Sequence, residues 1–134
     1  MIKNLIFFLP NFSEGGAGKS ILKMCKSLNK KKYNIYIISI TKNYYKKELS
    51  KYCKNIFEIN VSKTIFSFGY IKKILIKNNL RKNNKIFISN INYSNVLSLF
   101  FLKWLNSYKV VVTERTPFQE LDYTYSFVDF IKKR

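Results

Sequence analysis

The chain has 134 residues, enough for one domain with a real core, and its 47% hydrophobic and 17% aromatic content excludes a disordered chain. It contains no histidine, which removes Ser-His-Asp chemistry, histidine acid/base catalysis and the usual zinc sites. The formal charge is +18, yet Lys, Asn, Ile, Phe and Tyr make up 76 of the 134 residues and only three are Arg, a pattern of AT-rich codon usage that weakens a nucleic-acid reading.

Residues 2–9 are almost continuously apolar after Lys3 and Asn4 and read as a strand buried on both faces. Three of the four glycines follow at once, in Ser13-Glu14-Gly15-Gly16-Ala17-Gly18-Lys19-Ser20. Glycine lets backbone N–H groups approach a ligand, and a helix starting near residue 18 presents unpaired N–H donors, so a phosphate is the expected guest. That helix, residues 18–30, carries Ile21, Leu22, Cys25 and Leu28 on one face, where Cys25 reads as a small buried hydrophobe. A β-branched and aromatic run over 33–40 predicts a second strand, followed by a short helix over 43–53 and a short strand over 56–59. Phe68, Ile71, Ile74 and Leu75 lie at helical spacing and predict a helix over 67–80.

Residues 85–89 read as a fourth strand, 93–105 as a strongly apolar helix and 108–113 as a fifth strand. Phe100 and Trp104 on that apolar helix are read as core or domain interface. After Pro117 an amphipathic stretch over 120–131 carries Leu121, Tyr125, Val128 and Ile131. The alternation predicts an α/β, Rossmann-like, three-layer parallel sheet of about five strands with helices on both faces. Its expected extent is residues 1–118, with 119–134 a helical tail.

In such sheets ligands bind beyond the carboxyl ends of the strands, which directs attention to residues 10–19, 89–95 and 113–118. Read alone, the glycine turn resembles the G-G-x-G-K-[ST] core of the MinD/ParA-type ATPases, with Lys19 on the β- and γ-phosphates and Ser20 on magnesium. Two features oppose that reading. Glu14 stands where those ATPases place a lysine, and the strands are expected to close on Thr41, Asn60, Ser89 and Thr113, with no Asp to hold a metal shell.

Three segments in order resemble the N-terminal half of retaining glycosyltransferases of family 4, which have the two-domain GT-B fold. They are Leu5-Ile6-Phe7-Phe8-Leu9-Pro10 with Gly15-Gly16-Ala17, then Ile88-Ser89-Asn90-Ile91-Asn92, then Val111-Val112-Thr113-Glu114-Arg115-Thr116-Pro117. The resemblance implies transfer of a sugar from a nucleotide diphosphate sugar to a glycan or lipid-linked acceptor in cell-surface polysaccharide synthesis. It implies no bound metal and no cofactor beyond that substrate. Gly15, Gly16, Ala17 and Lys19 would form the donor-phosphate loop, and Asn90, Asn92, Glu114 and Arg115 the acceptor side. Bland readings stand beside these: a simple turn for the glycines, a helix cap for Asn90 and Asn92, a surface ion pair for Glu114 and Arg115. Many family members carry a His near the end of the fourth strand, where this chain has Asn90, and no catalytic residue is assigned. The family's second, donor-binding domain has no counterpart in these residues, so the expectation is an acceptor-side half, inactive alone and completed by a separate C-terminal domain.

No run of about 18 apolar residues is present, so the expected location is cytoplasmic, peripheral on the inner face of the plasma membrane. Residues 1–113 carry 21 basic and 3 acidic groups, and residues 114–134 carry four of each. A lysine-rich face gains about 1 kcal/mol per well-placed residue against anionic lipid, which makes a basic membrane- or nucleic-acid-binding module the other alternative.

Overall fold

Leu5, Ile6, Phe7 and Phe8 are all buried in β1 (Lys3–Phe8), so both faces of this strand need apolar cover. A parallel sheet with helices on each side supplies it. The computed structural model describes residues 2–80, 85–103 and 109–113. In chain order its elements are β1, α1 (Gly16–Ser27), β2 (Tyr33–Ser39), α2 (Lys46–Leu49), β3 (Asn55–Glu58), α3 (Thr64–Lys77), β4 (Lys85–Asn90), α4 (Asn92–Lys103) and β5 (Lys109–Thr113). The five strands are all parallel, in the order β3-β2-β1-β4-β5. The chain therefore has the α/β, Rossmann-like architecture expected from its sequence.

Alternation along β1 divides the core in two. Leu5, Phe7 and Leu9 pack with Ile21, Leu22 and Cys25 of α1, Leu49 of α2, and Phe12. Ile6 and Phe8 pack on the other side with Phe68, Ile71 and Leu75 of α3 and Leu102 of α4. Phe8 meets Phe68 edge-on at 5.8 Å between ring centroids and Phe87 at 6.0 Å. Burying one such side chain fully contributes about 1.5–3 kcal/mol, so β1 anchors both layers at once. Within the first layer, burial and the neighbouring Cys53 hold the Cys25 thiol far above the ordinary thiol range, in keeping with a core role; of the two causes the Cys53 hydrogen bond is the larger.

All four helices differ from expectation. The helix expected over 43–53 is reduced to the four residues of α2, because Asn43 and Tyr45 bond outward instead of extending it: the Asn43 N–H donates to Glu58 Oε1 at 2.8 Å, and the Tyr45 N–H to Asn43 Oδ1 at 2.9 Å. α1 and α3 begin two and three residues earlier than the apolar spacing suggests: the first turn of α1 is glycine-rich, and in that of α3 the apolar pair Ile65 and Phe66 is exposed, off the buried stripe. α4 is apolar nearly all round: Leu97, Phe101 and Leu102 turn inward, whereas Phe100 is 71% exposed and does not belong to the core. Trp104, Glu114, Arg115 and the 119–134 stretch lie outside the described residues. No described helix is long and apolar enough to cross a membrane.

The edge strand is tied to α2 by Lys46 Nζ to Glu58 Oε2 at 2.7 Å. The Lys46 ammonium first, then the Asn43 N–H, hold the Glu58 carboxyl below the ordinary carboxylate range. A folded-state pKa below the unfolded one contributes stability above the ordinary carboxylate pKa and loses it as pH falls through the folded value. Thermal melts of wild type and Glu58→Gln should therefore differ most near neutral pH and converge as pH falls through the folded-state value, below the ordinary carboxylate range.

Candidate functional site

The connections leaving β1 and β4 diverge. β1 runs into α1 on one face and β4 into α4 on the other, while the two strands lie side by side, with Phe8 opposite Ser89. This is the switch point of the sheet, where the ends of adjacent strands open a crevice. Residues 10–15 leave β1 at this point and the β4–α4 turn leaves the neighbouring β4, and these two segments are taken as its walls.

On the first wall Gly15 occupies the N-cap of α1 with extended backbone, and no side chain caps the helix. The first turn contains no acidic residue, and Lys19 within it is exposed. The leading N–H groups of α1 and the Lys19 ammonium thus give this end a positive character suited to an anion. None of the glycines has positive φ, so it is space rather than backbone conformation that distinguishes them. A Cβ at Gly16 would meet nothing within 4 Å, whereas one at Gly18 would lie 2.8 Å from Tyr45 Cε2 and 3.1 Å from the Ser13 carbonyl oxygen. Gly18 is required by packing, and Gly15 and Gly16 stay open toward the crevice. Ala17 is half-buried against the α1 core.

Tyr45 holds this wall from behind. It is buried, its ring lies over Gly18, and its hydroxyl donates to the Glu14 carbonyl at 2.9 Å. Burial, with the Glu14 and Glu48 charges adding to it, pushes the phenol above its ordinary range and keeps it a donor. Sequence reasoning missed this residue, since it lies within an expected helix and 31 positions from its partner.

The second wall is a buried polar knot. Asn90 is 1% exposed; its amide donates to the Phe8 carbonyl at 3.4 Å, and its Oδ1 accepts from the Thr113 hydroxyl at 2.6 Å. The Asn95 amide donates to the Thr113 carbonyl at 2.9 Å, while Asn95 Oδ1 is buried without a partner. Behind them Ser98 donates to Ser89 at 3.0 Å, Ser89 to Ser94 at 3.4 Å, and Ser94 to the carbonyls of Asn90 and Ile91. These bonds clamp the ends of β1, β4 and β5 together. They also hold Ile91 at φ 80°, a conformation that costs a β-branched residue about 1–3 kcal/mol and is found where a site dictates geometry. Asn90 is thus a clamp within the wall rather than a cap of α4. Asn92 opens α4 at the rim of the turn.

The strands close on Ser39, Glu58, Asn90 and Thr113. The carboxylate among them, Glu58, is engaged by Lys46 and Asn43 and belongs to β3, with β2 between it and the glycine wall. It does not stand beside Lys19 and Ser20 as a magnesium-holding residue would.

Comparison of the chain with models of protein families, with curated proteins and with solved structures finds no match.

Two measurements check this geometry. Gly16→Ala should leave stability unchanged or raise it by up to about 1 kcal/mol, whereas Gly18→Ala should lower it by about 1–2 kcal/mol, as overpacking outweighs the gain in helix propensity. Urea denaturation separates the two. Asn90→Ala removes the amide donor to the Phe8 carbonyl and leaves the Thr113 hydroxyl only its longer bond to the Ser89 carbonyl, at an expected loss of about 1–3 kcal/mol. Hydrogen exchange should speed up first in β5, which that clamp holds.

Proposed function

We propose that the chain is the acceptor-side half of a GT-B-type glycosyltransferase, moving a sugar from a nucleotide diphosphate sugar to a glycan or lipid-linked acceptor. The observation that carries the reading is the switch point: an open, uncapped, positively charged helix end faces a rigid polar wall across the junction of β1 and β4. Gly15, Gly16 and Lys19 would approach the donor diphosphate. Asn90 would fix the opposite wall, and by the family resemblance Asn92, Glu114 and Arg115 would supply hydroxyl-binding groups on the acceptor side. A polar site of this kind discriminates well among sugars, because a buried group left unpaired is costly. A second parallel α/β domain would supply the remaining donor contacts.

Titration calorimetry with UDP and GDP, without metal, tests the loop. Weak binding is expected, reduced about tenfold in Lys19→Ala, the loss of about 1.4 kcal/mol expected for a charged phosphate contact. Turnover of a nucleotide sugar should appear only when a donor-binding domain is supplied. Nanomolar donor affinity or turnover by the chain alone would overturn the half-site reading. Magnesium-dependent ATP binding abolished by Lys19→Ala would replace it with an ATPase.

A further inference from the structure

Residues 1–58 and 59–113 carry the same net charge, but the two helical layers differ in where carboxylates sit and in exposed apolar surface. Glu14, Glu48 and Glu58 are the carboxylates among the described residues. Glu14 and Glu48 belong to the α1/α2 side by position, and Glu58 by its bonds to Asn43 and Lys46. Residues 59–113 contain no acidic residue and nine basic ones. On α3 the outward side chains include Phe66, Tyr70 and Ile76, interleaved with exposed Lys72, Lys73 and Lys77. On α4, Val96, Leu99 and Phe100 also point outward, Val96 and Phe100 at 59% and 71% exposure. The two helices are neighbours in one layer: Phe101 stacks on buried Phe68 of α3 at 5.1 Å, and exposed Phe100 packs edge-on against Phe101. Lys73 lies over the Tyr70 ring at 5.8 Å, so cation and aromatic act as one unit.

An exposed apolar patch of this kind marks an interaction surface, and its composition selects the partner. Aliphatic side chains offer nothing to a phosphodiester backbone, and the described residues hold no arginine for base or phosphate forks. A second copy would bring lysine rows face to face, a like-charge pairing. Aromatic and aliphatic tips surrounded by lysine, with no carboxylate, fit the interface of a bilayer with negative headgroups. We propose that the outer face of α3 and α4 is a docking surface for an anionic lipid bilayer. This rests on the charge and exposure of that face and not on the sugar-transfer reading.

Co-sedimentation of the full chain with vesicles of equal parts phosphatidylcholine and phosphatidylglycerol tests it, with pure phosphatidylcholine as reference. Binding is expected only to the anionic vesicles, about fivefold weaker for each lysine neutralised among Lys72 and Lys73. Phe66→Ser/Phe100→Ser should lower it further while leaving the circular dichroism spectrum unchanged. A matched Lys23→Glu/Lys31→Glu variant on the other layer should bind at least several-fold better than Lys72→Glu/Lys73→Glu. Equal loss in both charge variants would mean diffuse attraction and overturn the proposal. It would also fail if the Phe66/Phe100 variant lost a dimer instead of lipid binding, bound DNA in place of vesicles, or if radical footprinting found Tyr70 and Phe100 protected in the lipid-free monomer.

Discussion

Everything in this molecule follows from a strand that is apolar on both faces. β1 cannot rest at an edge, because Leu5 and Phe7 need one layer of cover while Ile6 and Phe8 need another. Parallel pairing to β2 and β4 places it at the centre, and the connections then leave in opposite directions. The crevice is a by-product of that divergence. The residues meeting there, the open glycine end of α1 and the Asn90 clamp, come together because the central strand must be buried twice.

The strands were legible in the sequence because long runs of β-branched and aromatic residues have few other uses, and β2, β4 and β5 lie within a residue or so of their expected bounds. The direction in which α4 faces was not. Its side chains from Val96 to Leu102 are apolar on nearly every side except at Ser98, and periodicity cannot choose an inner face when all faces qualify. The site was legible in part. Glycine clustering identified the α1 end, but Gly18 and Gly16 look alike in sequence and differ through the Tyr45 ring and the Ser13 carbonyl. Asn90 was placed at the right strand end, yet its burial depends on Thr113 and Phe8, residues 23 and 82 positions away.

The two walls of the crevice are built on different physics. The glycine wall is open, and its polarity comes from backbone groups that no side chain satisfies. The opposite wall is closed, its amides and hydroxyls spent on one another, with Asn95 Oδ1 the exception. One wall is ready to receive a charged group, and the other resists deformation when it does. The bilayer-facing layer proposed for α3 and α4 lies on the second wall's side of the sheet, away from the glycine end.

Tyr45 gives the loop a property that its own sequence does not contain. Glu58 on the edge strand accepts from Asn43, Asn43 accepts from Tyr45, and Tyr45 donates to Glu14, so a line of bonds runs from the rim of the sheet to the back of the loop. The loop behaves like a bracket bolted to a distant beam. Its shape is set by residues that never face the crevice, and variation in the 43–58 region can retune its fit to a bound group while leaving every contacting atom chemically the same.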